Sequence, residues 1–154
     1  MKLTVLSIIR SKPAWAEDQF NKYCSRINKP IQFTWKHIEP AKHGKTAEKD
    51  QIRDNGKKLL NSIPDNSFVI ALDQKGECWT TESLKNRFED WISLNKNIIF
   101  LVGGQEGLSK DCLDRSNVIW SLSNLTLPHI FVPVLIAEQI FRVWSITQNH
   151  PYHR

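Results

Sequence analysis

A chain of 154 residues, 40% hydrophobic and 24% charged, has a globular composition with room for one compact domain, which excludes wholesale disorder. The cysteines Cys24, Cys78 and Cys112 lie far apart with no C-x-x-C pair, which excludes a disulfide framework and a thiolate zinc site and fits a reducing, cytoplasmic setting. A formal charge of +5 and an isoelectric point near 9.2 favour a polyanionic partner.

Leu3 to Ile9 is a short apolar, β-branched run that predicts a first strand. It meets Arg10 and Lys12 too soon to be a signal peptide. Pro13 suits the start of a helix whose face is Ala16, Phe20, Tyr23, Cys24 and Ile27, and Pro30 closes the segment. Ile31 to Ile38 alternates as a second strand. Thr46 is the expected N-cap of a helix burying Ile52, Gly56, Leu59, Leu60 and Ile63.

Phe68 to Leu72 predicts a third strand, and Leu84, Phe88, Trp91 and Ile92 the face of a third helix. Ile98 to Val102 predicts a fourth strand. Ser109 suits the cap of a short helix, Val118 to Leu122 a fifth strand, and Pro133 to about Asn149 a closing helix. This alternation implies an α/β sandwich with a mostly parallel sheet. No repeat, linker or low-complexity tract interrupts it, so a single domain spanning 1–154 is expected.

Ser116 to Ala137 contains no Asp, Glu, Lys or Arg, yet Pro128 and Pro133 interrupt it. It reads as strand, loop and helix start rather than a membrane span. Cations gather in two places: Lys36, His37, Lys42, His43 and Lys45 around Gly44, and Arg142, His150, His153 and Arg154 at the end of the chain. Two basic patches make nucleic acid the favoured partner. The spacing of His150 and His153 suggests a metal pair, but Pro151 breaks the alignment and no acidic or Cys ligand is adjacent, so no metal is expected. Tyr152, His153 and Arg154 better suit stacking on a base and contacting phosphate, against the alternative of a frayed terminus.

Gly103-Gly104-Gln105-Glu106-Gly107 follows a strand and precedes a helix, where backbone amides cradle phosphates. It matches neither dinucleotide nor Walker patterns, and a tight turn explains its glycines equally well. Trp120 to His129 leaves a strand uncharged, with Ser121, Ser123, Asn124 and Thr126 between Leu122, Leu125 and Leu127. Such a segment either holds a small ligand or satisfies its own backbone in a buried connection. The closing helix is apolar nearly all round, leaving Glu138, Arg142, Ser145 and Asn149 as a narrow polar stripe, which suggests a subunit interface. Glu138 and Arg142 stand i,i+4, either as a surface ion pair worth about 0.5 kcal/mol or as a site arginine with its orienting carboxylate.

Four motifs in order, Leu-Val-Gly-Gly-Gln-Glu-Gly-Leu (101–108), Ser-Leu-Ser-Asn-Leu-Thr-Leu-Pro-His (121–129), Ala-Glu-Gln-Ile-Phe-Arg (137–142) and Asn-His-Pro-Tyr-His-Arg (149–154), resemble the RlmH family. The Leu72-Asp73 pair, the Trp79-Thr80 segment and the Gly44 loop also fit, so the resemblance spans the chain. These are bacterial large-subunit rRNA pseudouridine N3-methyltransferases of the SPOUT superfamily. The resemblance implies a trefoil-knotted α/β domain, the knot formed by roughly 98–154, and a homodimer packed through it. It implies S-adenosylmethionine as cofactor, surrounded by Leu72, Gly103, Leu122, Ser123, Asn124, Leu125, Thr126 and Leu127, with Gly104, Glu106 and Gly107 completing the preceding loop. It places His129, Arg142, Tyr152, His153 and Arg154 on the RNA side, with contributions from both subunits.

The implied substrate is N3 of pseudouridine 1915 in 23S rRNA, within the large subunit or the assembled ribosome, with no metal and no membrane. His129 or His153 is the expected proton acceptor, Arg142 the stabiliser of imide charge and Tyr152 the base platform. Gln105 stands where the family usually has Pro, and Pro133 where it commonly has Arg; the first is expected to change only loop stiffness and the second to weaken one RNA contact. The rival readings are a SPOUT enzyme acting on tRNA or another rRNA site, and a non-catalytic RNA-binding protein on the same scaffold.

Overall fold

The structure, a computed structural model, describes residues 1–42 and 47–154. In chain order the elements are β1 (Lys2–Ile8), α1 (Ala14–Cys24), β2 (Gln32–Ile38), α2 (Glu48–Asn61), β3 (Ser67–Cys78), α3 (Thr81–Ser93), β4 (Asn97–Val102), α4 (Lys110–Arg115), β5 (Val118–Ser121), α5 (Val132–Thr147) and a 3₁₀ turn at Pro151–His153. The described strands form one sheet in the order β2-β1-β4-β3-β5, with every pairing parallel.

Side-chain alternation along the inner strands feeds two cores, one on each face of the sheet. Leu3 and Val5 of β1, in register with Ile98 and Phe100 of β4, pack against Phe20 of α1, Phe88 of α3 and Ile140 of α5. Leu6, Ile8, Ile99 and Leu101 point the other way, onto Leu59 of α2 and Cys112 of α4. Ser7, buried on the α1 side, accepts the Trp35 indole N–H at 2.7 Å, which satisfies both polar groups inside the core.

Ser109 caps α4 as its sequence position predicts, its Oγ accepting from Cys112 N at 3.2 Å. Pro13 serves as the N-cap of α1 rather than a helical residue. The predicted cap Thr46, with His43, Gly44 and Lys45 of the basic cluster, lies outside the described residues. Ile92 is 50% exposed although its period placed it on the buried face of α3. At about 100° per residue it sits about 80° round from Leu84, beyond the stripe of Leu84, Phe88 and Trp91.

Two strand boundaries also differ. β3 runs on to Cys78, pairing with β5 through Leu72 and again through Glu77, and the intervening residues bulge out. Its second half is polar, so no apolar pattern marks it. β5 stops at Ser121, whose Oγ donates to Ser123 O at 3.0 Å and turns the chain before Leu122. The uncharged stretch from Ser116 to Ala137 becomes β5, a loop and the start of α5. No helix among the described residues is long and apolar enough to cross a membrane.

Candidate active site

In an open parallel sheet, ligand sites form beyond the carboxyl ends of the strands. Here β4 leads into Gly103, buried in the floor of a cavity of about 140 Å3. A Cβ on Gly103 would meet the backbone carbon of Gly107 at 2.5 Å, so only glycine lets the two segments approach. Gly107 N–H donates to Gly104 O at 3.1 Å, and Gly107 takes φ +87°, a conformation glycine adopts readily.

The opposite wall is the segment after β5. Leu125 N–H donates to Ser123 Oγ at 2.9 Å, which curls the segment locally. The bulge of β3 clamps it: Gln74 Nε2 donates to Asn124 O and Thr126 Oγ1 donates to Gln74 Oε1, both at 3.2 Å. Leu72, Leu122, Leu125 and Leu127 present apolar walls, and His129 stands on the lining as the chain approaches α5. Leu125 is 75% exposed, leaving an apolar side chain facing open space.

Gly103, Leu72 and most of the 122–127 segment, the residues expected around the cofactor, therefore line one cavity, and His129, expected on the RNA side, joins them. Asn124 is not on the lining, and its carbonyl accepts from Gln74. Gln74 itself carries no local signal, because its partners lie fifty residues on.

The remaining predicted residues assemble elsewhere. Arg142 donates from Nε and Nη2 to Glu138 Oε1 at 3.0 and 2.6 Å, and Tyr152 OH donates to the same oxygen at 3.0 Å. The Arg142 guanidinium lies 5.2 Å from the Tyr152 ring centroid, and that of Arg26 lies 5.5 Å from it and 4.3 Å from the Phe141 ring. Burial first, then hydrogen bonding with Tyr23 and Glu138, pushes the Tyr152 phenol up to about 12, so it stays protonated at neutral pH. The Glu138 hydrogen bond holds Arg142 above its already high ordinary value.

His150 Nδ1 accepts from Tyr152 N–H at 3.2 Å and caps the 3₁₀ turn. His153 Nδ1 is buried with no hydrogen-bond partner among the described residues, and Arg154 is exposed. Also among the described residues, no group of three or more His, Cys, Asp or Glu side chains is placed to hold a metal ion. Arg142 lies about 15 Å along α5 from Val132, the helix residue that lines the cavity. Within one chain, then, Arg142 and Tyr152 form a cluster separate from His129 and the cavity. Pro133, where the RlmH family commonly carries Arg, is buried in the first turn of α5.

Comparison with known proteins identifies the family. The family described as "Predicted SPOUT methyltransferase" matches residues 1–153. Proteins named ribosomal RNA large subunit methyltransferase H are 37% identical in Thioalkalivibrio sulfidiphilus, over 100% of this chain and 99% of that protein. The counterpart in Nitrosococcus oceani is also 37% identical at the same coverage. That of Coxiella burnetii is 39% identical over the full length of both. The chain belongs to the SPOUT methyltransferases and, within them, to the ribosomal RNA large subunit methyltransferase H (RlmH) family.

Proposed function

We propose that this chain is an S-adenosylmethionine-dependent methyltransferase acting on N3 of pseudouridine 1915 in 23S rRNA, within the large subunit or the assembled ribosome in the cytoplasm. The observation that carries the reading is the cavity bounded by Gly103 and the 122–127 segment, with His129 on its lining. Its residues suit the donor: a floor at Gly103 kept in place by close approach to the Gly107 backbone, leucine walls for an adenine ring, and Ser123, Thr126 and Gln74 as polar partners. When bound, S-adenosylmethionine supplies a sulfonium methyl open to in-line displacement.

The chain's residues position the acceptor and move one proton. The pseudouridine N3 proton must leave before or during attack, and a neutral histidine near pH 7 is suited to take it. We assign this to His129, or to His153, whose buried Nδ1 has no partner among the described residues. Arg142, held by Glu138, stabilises the developing imide charge, Tyr152 offers a platform to the base, and Arg154 contacts the RNA.

Because the Arg142 and Tyr152 cluster stands apart from His129 in one chain, the reading includes a homodimer in which the tail of one subunit completes the cavity of the other. Trp15 and Phe131, 45% and 44% exposed with ring centroids 4.9 Å apart, form with Leu135 an apolar patch suited to that contact. Residues 1–154 act as a single domain in this reading, with the knot formed by roughly 98–154.

The test is transfer of labelled methyl from S-adenosylmethionine to ribosomes lacking the modification, followed by nucleoside mapping. Label on N3 of the pseudouridine is expected. Cofactor binding by calorimetry with no transfer to ribosomes overturns the substrate and keeps the enzyme, and silence in both overturns the enzyme.

A further inference from the structure

Beyond the carboxyl ends of β1 and β2 lies a second cleft, of about 830 Å3, which shares Gly104 and His129 with the leucine-lined cavity. One wall is Ile9 to Ser11, the other is the Glu39 to Lys42 segment, and the Gly104 to Glu106 turn lies between this cleft and the smaller cavity.

The second wall is held in place by α2. Asn55 is 3% exposed, and its Oδ1 accepts Ala41 N–H at 2.7 Å. Gln51 Nε2 donates to Ala41 O and to Asn55 Oδ1, both at 3.0 Å, and Lys58 Nζ donates to Glu39 O at 2.9 Å. A buried amide whose oxygen is fully used fixes backbone rather than merely filling space. The clue in the sequence is an asparagine on the apolar face of α2, beside Gly56 and Leu59.

We infer that this cleft, on the methyltransferase reading above, receives the single-stranded RNA carrying the target nucleotide, with Arg10 and Lys42 contacting its phosphates and the target base passing His129 toward the smaller cavity. At about 830 Å3 the cleft has room for nucleotides. The charge pattern selects among anions. Arg10 and Lys42 are exposed and make no ion pair among the described residues, but the Glu39 and Glu106 carboxylates line the same cleft. Two cations and two carboxylates cancel, so a purely phosphate-rich ligand gains little. A single-stranded nucleotide offers phosphate to the cations, and 2′-hydroxyl and base N–H donors to the carboxylates.

The experiment uses the full chain and a short oligouridylate as probe. Arg10→Glu and Lys42→Glu are compared with Lys96→Glu, an equal charge change at the opposite end of the sheet, just before β4. Both cleft variants are expected to weaken oligouridylate binding tenfold or more. Each should also flatten the slope of log affinity against log salt by about 0.7 for every phosphate that the variant no longer neutralises. Lys96→Glu should stay near the wild type, and S-adenosylmethionine affinity by calorimetry should stay within twofold in all three. Absence of oligouridylate binding by the wild type, or equal losses in cleft and control variants, overturns the cleft. Loss of cofactor affinity or methyl transfer in the wild type instead overturns the methyltransferase reading, so the two failures are distinguishable.

Discussion

Glu138 and Arg142 are joined across one turn of α5 through a single oxygen: Oε1 accepts from Nε at 3.0 Å and from Nη2 at 2.6 Å. The same oxygen accepts from Tyr152 OH, so one carboxylate orders both the arginine and the tail. Hydrogen bonds to a charged group contribute about 1.5–3 kcal/mol each. In Glu138→Gln the geometry survives without the charge, and Arg142 loses its anchor. Methyl transfer in single turnover is expected to fall about tenfold to a hundredfold with cofactor affinity unchanged, and the thermal midpoint to drop by a few degrees. Wild-type values for both would show that Glu138 positions nothing.

Gly103 and Gly104 are neighbours with different tolerances. A Cβ at Gly103 would stand 2.5 Å from the backbone carbon of Gly107, whereas at Gly104 the nearest atoms are the Glu106 carboxylate and an Ile8 methyl at 3.3 Å. Backbone cannot swing aside as a side-chain end can. Gly103→Ala should therefore lose about 1–3 kcal/mol of stability and at least tenfold in cofactor affinity. Gly104→Ala should lose much less of either. Denaturant titration and calorimetry on the pair decide it, and equal losses refute the argument.

These positions also mark how far sequence alone reaches. β1 was legible because Leu3 to Ile9 is a short apolar, β-branched run, as a strand buried on both faces requires, but which of its residues face α1 and which α2 was not. The Ser109 cap was legible because capping is local. The extension of β3 to Cys78 was not, since its pairing with β5 joins residues some forty positions apart and its polar residues carry no apolar period. Nor was the clamp of Gln74 on Asn124 and Thr126. The resemblance groups His129 with Arg142 and the tail; that His129 lines the cavity while Arg142 stands about 15 Å further along α5 emerges only from the fold.

Cys24 and Tyr152 set an alkaline limit on stability. Burial pushes the Cys24 thiol from its ordinary 9.0 up to about 12, and the Tyr152 phenol rises from 10.0 to about 12. Each folded-state value exceeds the unfolded one, so the folded chain holds these protons more tightly. Their contribution is complete below the unfolded values and is lost as pH climbs from near 9 toward 12. Denaturation midpoints at about pH 8 and about pH 10.5 should therefore differ, and differ less in Cys24→Ala. An identical pH sensitivity in the variant removes Cys24 from the account.

The division between His129 and Arg142 can be tested by mixing inactive chains. If His129 of one subunit works with Arg142 of its partner, His129→Ala and Arg142→Ala homodimers each lack one half of every site. Random re-pairing makes half of the dimers mixed, and each mixed dimer then holds one intact site. Unfolding and refolding an equal mixture should restore about a quarter of wild-type methyl transfer. Leu135→Glu places a charge on the exposed apolar patch beside Phe131, a substitution that opposes burial against a second subunit. Carried in both chains, it should abolish the rescue and leave a 17.9 kDa species in sedimentation. Rescue that survives in such monomers, or no rescue while the mixed dimers are seen to form, would place a complete site within one chain and refute the shared one.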